Sequence, residues 1–329
     1  MSAFDDSTSL GEEEVSSTFE EQLYAQRLLP PDLESNPDLQ WRDICKTETF
    51  LPAKYLISPG EGRTRGKVRF VAISDTHGLH DKPVSSVKAS LLPEGDVLLH
   101  AGDFTNVGSA KDLANFAAFT RACEEHFSEV IVIAGNHDIS LDPAFYKRNK
   151  ERFHHCKQQQ QEQEQEQEQE QQQQQQPEHF INSLGPNTVY LEDSSHITKL
   201  GNFKCFGSPW QPEFGGWAFN LNRGDSCRAK WDLIPHNTDI LLTHGPPLGR
   251  GDLCLPHNNR AGCVDLLNVV KTIKPKVHVF GHIHEGAGCS SDGVTDYINA
   301  STCTFSYRPT NAPVVFDLVP SMNEDEDKE

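Results

Sequence analysis

Asp, Asn and His recur beside glycine at five points in this chain, each just after a short apolar run. KVRFVAIS (67–74) leads into Asp75-Thr76-His77-Gly78, and DVLLH (96–100) into Gly102-Asp103-Phe104. EVIVIA (129–134) leads into Gly135-Asn136-His137-Asp138, and DILLT (239–243) into His244-Gly245-Pro246-Pro247. KVHVF (276–280) leads into Gly281-His282-Ile283-His284. Carboxylate, amide and imidazole donors without sulfur suit Mn, Fe, Zn and similar divalent ions. Glycine beside a ligand lets backbone and ion approach closely. In Asp75-x-His77 and His282-x-His284 the members sit two apart. On a strand, i and i+2 share a face, so each pair is expected to point at one metal position.

Singly, each word has an ordinary reading. A lone His at a strand end is usually structural, Asp75 or Asp103 alone would cap a helix, and Asn136 alone would serve a turn. Five such endings in one domain are hard to explain independently. Other catalytic systems are missing from the sequence: there is no Gly-x-Ser-x-Gly elbow, P-loop or dinucleotide fingerprint. Gly60, Gly62 and Gly66 precede the first strand instead of following it. The nine cysteines are odd in number and form no Cys-x-x-Cys pair. A disulfide scaffold and a thiolate zinc site are thereby disfavoured, and reduced thiols are expected.

The elements that must position these residues read as α/β. The five apolar runs, rich in Val, Ile and Leu and bounded by Gly, Pro, Asp or Asn, have the texture of buried strands. Helices are expected over 110–127, 143–153 and 263–273, and further strands over 196–200, 203–208, 294–300 and 313–319. A mixed sheet or two packed sheets follows. Ligands in such sheets bind outside the carboxyl ends of strands, where all five words would converge.

Charge and composition mark the borders. The chain has 48 Asp and Glu against 29 Lys and Arg, a net charge of −19. Residues 1–60, the Gln/Glu tract at 158–176 and residues 324–329 carry all but about two of those charges. The remaining core is nearly neutral and shows no basic stripe, so no nucleic-acid platform is expected. Residues 1–65 read as an acidic, partly disordered N-terminal region with a short helix near 20–29. Residues 66–320 read as one domain interrupted by the 158–176 low-complexity insert, and 321–329 as an acidic tail. The acidic tails and the tract are candidate surfaces for protein partners. No apolar run approaches the roughly 18 residues of a membrane helix. The first 20 residues lack a basic and apolar leader, so the expectation is cytoplasmic. Asn299-Ala300-Ser301 fits a glycosylation sequon, and without a leader it carries no weight.

The ordered set Asp-x-His, Gly-Asp, Gly-Asn-His-Asp, His-Gly and Gly-His-x-His resembles the signature of the calcineurin-like metallophosphoesterases. Gly102-Asp103-Phe104-Thr105, Gly207-Ser208-Pro209-Trp210, Thr243 to Pro247 and Ile298 to Cys303 resemble its metallophosphoesterase-domain-containing branch. The likeness covers about residues 66–318, outside the tract. It implies a four-layer α/β/β/α sandwich of two mixed sheets with outer helices. It also implies two divalent metal ions (Mn, Fe or Zn). Asp75, His77 and His284 would hold one, Asn136, His244 and His282 the other, with Asp103 between them. His137 would be the general acid or phosphate contact, and the neighbouring Asp138 would orient it. The implied chemistry is hydrolysis of a small-molecule phosphoester, a nucleotide included, by in-line attack of a metal-bridging hydroxide. Phosphodiesters are favoured over monoesters; a phosphomonoesterase and a non-catalytic nucleotide- or metal-binding scaffold are the alternatives. Gly102-Asp103 lacks the downstream Asp-Arg of protein phosphatases, which disfavours protein substrates.

Several residues have weaker claims. Trp210, Phe214 and Trp217 sit in a Gly/Pro-rich loop and either line the pocket or pack beneath that loop. Arg223, Arg250 and Arg308 are candidate phosphate contacts. His154, His155, His179, His257 and His278 are expected to be ordinary surface or core residues.

Overall fold

The computed structural model describes residues 36–58, 61–82, 85–153 and 176–320. The expected helix at 20–29, nearly all of the Gln/Glu tract, His154, His155 and the C-terminal tail lie outside them.

The core runs of apolar residues become two mixed sheets. In the first, β1 (Val68–Ile73), β2 (Val97–Ala101), β3 (Glu129–Ile133) and β4 (Thr188–Tyr190) run parallel, and β15 (Val314–Leu318) pairs antiparallel with β1. In the second the order is β13 (Gly288–Ser291), β14 (Asp296–Asn299), β12 (Val277–Phe280), β9 (Ile240–Thr243), β6 (Lys204–Ser208), β5 (Ser194–Ile197). Its four inner strands are parallel and its edge strands antiparallel. Two short pairs lie outside both sheets, β7 (Gln211–Pro212) with β8 (Asn220–Leu221) and β10 (Leu253–Cys254) with β11 (Asn259–Arg260).

Why the strands read as continuous apolar runs follows from their two buried faces. Phe70 and Ala72 of β1 enter the cluster between the sheets, with Leu99, Ile131, Ile240, Leu242, Val279 and Ile298. Val71 and Ile73 point the other way, toward Leu113, Phe116 and Phe119 of α2 (Ala110–Cys123) and Phe145 of α3 (Pro143–Phe153). Phe180 of α4 (Gln176–Ser183) joins that layer. Beyond the second sheet, Cys227 and Trp231 of α5 (Asp225–Trp231) and Leu266 and Val270 of α6 (Val264–Ile273) cover Phe206, Leu241 and Phe280. The layers are therefore helix, sheet, sheet, helix, as the resemblance implied.

Three boundaries differ from expectation. α2 stops at Cys123, because Glu125 and His126 bond three residues back (to Ala122 and Cys123) and tighten the last turn. β5 runs over Ser194–Ile197 instead of 196–200, because Ser194 and Ser195 already pair with Gly207 and Phe206 and Thr198 N, past the strand's end, bonds Phe203 O in the turn. The third is the N-terminal border at 66. Residues 36–58 pack on the domain: Asn36 caps α1 (Pro37–Ile44), Leu51 bridges Ser291, and Leu56 bridges Phe316. Backbone N–H groups of Lys54 and Tyr55 donate to Asp296 Oδ2. The polar composition hid this, because the segment docks by hydrogen bonds, ion pairs and a few large rings.

Candidate metal centre

The five motif words all lie at the carboxyl ends of β1, β2, β3, β9 and β12. They do not continue those strands. Asp75 (φ 52°), His77 (φ 45°), Asp103 (φ 55°) and His282 (φ 69°) are left-handed, in a region that costs a non-glycine residue about 1 kcal/mol or more. The expected strand alternation of Asp75/His77 and His282/His284 is thus not what aims them; tight turns do.

Interlocked loops hold the strain. Asp75 N donates to Gly102 O and His77 N to Asp103 O, both at 2.9 Å. His137 N donates to Asp103 Oδ1 at 2.7 Å. His282 N reaches both Asp75 oxygens at 3.1 Å, and Ser301 Oγ donates to Asp75 Oδ2 at 2.8 Å, tying the second sheet to the first. A Cβ at Gly135 would sit 2.3 Å from Asp103 Oδ1, and one at Gly281 2.0 Å from Asp75 Oδ2. Glycine is required at both.

The side chains gather into three overlapping triads: Asp75, His77 and His284; His77, Asp103 and His137; Asp103, His244 and His282. Within each, the donor atoms lie within 4.8 Å of one another. Asn136 Oδ1 is 2.9 Å from His244 Nε2, and Asp103 Oδ2 is 3.2 Å from the same nitrogen. So the seven residues expected as ligands come together, and Asp103 belongs to both halves.

The donor set fits divalent cations. His244 Nδ1 donates to Ala101 O at 2.9 Å and His284 Nδ1 to Thr304 O at 3.1 Å. A carbonyl only accepts, so each Nδ1 carries a proton, and each Nε2, once deprotonated, presents a lone pair to the cluster. His77 Nε2 faces His284 Nε2 at 3.2 Å, and His77 Nδ1 is buried without a partner. A cation between the two facing Nε2 atoms would take up their lone pairs. Burial alone would raise the carboxyls, yet His284 beside Asp75 and His244 beside Asp103 hold both below the usual range. Burial pushes His77 down to about 4 and His282 down to about 3. Burial also opposes charge on His244, but Asp103 outweighs it and raises that imidazole to about 9. Anionic carboxylates and neutral imidazoles are the protonation states that bind metal; His244 must first give up its proton.

His137 stands at the rim. Its Nδ1 donates to Asn106 O at 2.8 Å, its ring meets His77 edge-on, and Trp217 stacks on it with centroids 3.9 Å apart. Asp138 does not orient it, contrary to expectation. The Asp138 carboxylate is buried and accepts from Gly135 N, Thr105 N and Thr105 Oγ1 at 2.8–2.9 Å. It knits the β2 and β3 turns together, and burial with the nearby Asp103 charge raises it to about 7.

The weaker candidates separate. Phe214 meets His282 edge-on at 5.2 Å, so Phe214 and Trp217 flank the site. Trp210 packs away from it, donating to Asp193 under Lys230. Arg250 is buried against Glu48 and is no phosphate contact. Arg308 is exposed in a groove with Leu79, Lys82 and Tyr307. Arg223 lines a pocket that His282 also borders. His278 is buried on β12 against Thr243, while His179 and His257 are exposed. Sequence reasoning missed Tyr307, whose ring lies 4.9 Å from His77 and 5.2 Å from His284. It also missed Ser301 as the hydroxyl on Asp75, and the carbonyls of Ala101, Asn106 and Thr304, which carry no side-chain signal.

This fold and this cluster define a metal-dependent phosphoesterase. The chain belongs to the calcineurin-like phosphoesterase family, whose model matches residues 68–286. It is 43% identical over 262 residues to human metallophosphoesterase domain-containing protein 1, covering 78% of this chain and 73% of that one. A UPF0046 protein of Caenorhabditis elegans is 41% identical over 289 residues, 86% of this chain and 68% of that protein. A solved Thermus thermophilus structure overlaps 71% of this chain and 88% of its own at 16% identity and TM-score 0.44. No described helix is long and apolar enough to cross a membrane.

Proposed function

We propose that the protein is a binuclear metal-dependent phosphodiesterase acting on a small-molecule ester. The observation that carries this is Asp103, one carboxylate shared by two sets of ligands. Asp75, His77, Asp103 and His284 would hold one divalent ion, and Asp103, Asn136, His244 and His282 a second. When bound, the pair supplies Lewis acidity that activates water near neutral pH and neutralises phosphoryl oxygens.

The chain's own residues do the rest. Asp75 and Asp103 arrive ionised, because histidines surround them. Asn106 O fixes the Nδ1 proton of His137, so the imidazolium form carries its second proton on Nε2 and would hand that one to the departing oxygen, leaving the neutral ring. Trp217 holds the imidazole in that pose from one face. Two organic substituents fit better than one: Phe214 flanks the cluster at His282, and Tyr307 flanks it at His77 and His284.

The test compares bis-p-nitrophenyl phosphate with p-nitrophenyl phosphate, using Mn-loaded and chelator-treated protein. The expected result is chelator-sensitive turnover, faster on the diester, with close to two metal ions per chain. Metal without turnover of either ester would return the protein to the scaffold reading.

A further inference from the structure

Phe214 has no part in that chemistry, yet it is fixed in place. The ring is large and apolar, half of it is exposed (50%), and it stands beside a charged centre. The loop carrying it is held on several sides. Arg152 donates to the carbonyls of Gly215 and Gly216, Asn220 Nδ2 to Phe214 O, and Gly216 N to Glu213 Oε1. Phe214 walls an open pocket of about 160 Å³, which His282, Arg223, Arg260 and Gln211 also line. His282 thus borders both the pocket and the ligand cluster.

Two features of the pocket favour a flat guest. Roughly 150 Å³ is enough to hold a benzene ring. The Arg223 guanidinium is anchored to Ala261 O and Gly262 O at 2.8 and 2.7 Å, without a carboxylate partner among the described residues. A fixed guanidinium plane and a phenyl ring both receive aromatic faces or edges. Arg260 is occupied differently, against Asp252 at 2.5 Å and over the Trp41 ring.

We infer that this pocket seats the second substituent of a phosphodiester and that Phe214 selects a planar aromatic or heteroaromatic ring there. The inference rests on the phosphoesterase reading and narrows its substrate class. It is tested with bis-p-nitrophenyl phosphate and methyl p-nitrophenyl phosphate, which share a leaving group and a charge and differ only in the group that stays. In wild-type protein loaded with Mn, kcat/KM favours the bis-aryl ester. In Phe214→Leu, which keeps apolar bulk without a ring, that preference falls about three- to tenfold. An unchanged ratio in an active variant overturns the subsite and leaves the hydrolase reading standing. Calorimetric titration with phenylphosphonate and methylphosphonate covers the other failure. If neither ester turns over, yet wild type prefers phenylphosphonate and Phe214→Leu does not, the subsite holds and the hydrolase reading falls. No preference in wild type overturns the subsite.

Discussion

Asp103 is where the two halves of the centre meet, so one atom-level change there tests the whole arrangement. Asp103→Asn removes the shared negative charge but keeps the shape and an acceptor for His137 N. The expected outcome is metal content falling well below two per chain, with turnover lost and the far-ultraviolet dichroism of the wild type. Wild-type metal content with wild-type rate would remove Asp103 from its bridging place. His137→Ala separates proton delivery from binding. Metal content is expected to stay, and kcat to drop about 10²–10⁴-fold; loss of metal would make His137 a ligand. The candidate ligands were legible because their identity is their chemistry: an Asp, Asn or His after each strand can be read directly. Their aim was not. Four of the seven expected ligands use left-handed backbone, which no residue type announces outside glycine. Asp138 sits beside His137 in sequence, and only the fold shows that its carboxylate turns inward to Thr105 and Gly135.

At the scale of elements, the strands were legible because burial on both faces leaves an unbroken apolar run. Residues 36–58 were not, because what docks them is polar. Glu48 receives the Arg250 guanidinium at 2.7 Å with both side chains buried, and Lys271 adds a second cation. Arg250 is further sandwiched between Phe50 and Tyr297, 4.3 and 4.7 Å from their ring centres. Trp41 of α1 lies against Gly249, where a Cβ would approach within 1.9 Å, and beneath Arg260, which walls the pocket. The segment therefore belongs to the scaffold of the site. Glu48→Ala leaves a buried guanidinium uncompensated, so unfolding free energy should fall by about 3 kcal/mol or more, read by urea denaturation. A loss under about 1 kcal/mol would mean that the segment rests on the domain without supporting it.

At the scale of the molecule, helices seal the outer face of each sheet, and those layers bury histidines away from water: His100 beside Phe104 and Phe116, and His278 beside Phe280 and Tyr297. The Thr243 hydroxyl spends its proton on Gly245 O, so His278 Nε2 must donate to Thr243 Oγ1. His278 Nδ1 is left without a partner, and burial lowers the group to about 3. His100 is fixed similarly, because Gly102 N donates to its Nδ1 and Thr76 takes Nε2. Burial holds His100 at about 3 as well. Both are neutral when folded, whereas an exposed imidazole titrates near 6.5. As pH falls below 6.5, the unfolded chain binds protons that the native state refuses. Stability should then drop by about 1.4 kcal/mol per pH unit for each such histidine until pH reaches the folded value. Loss of metal at the ligand histidines adds its own acid sensitivity, so the contribution of one core residue is read as a difference in slope. His278→Gln keeps an N–H for Thr243 and removes the titration. Between pH 6 and 4, its unfolding free energy should fall less steeply than wild type by about 1.4 kcal/mol per unit. Parallel slopes in urea denaturation across that range would show that His278 already takes up a proton in the folded protein, and that the layer between the second sheet and its helices is wetter than its packing implies.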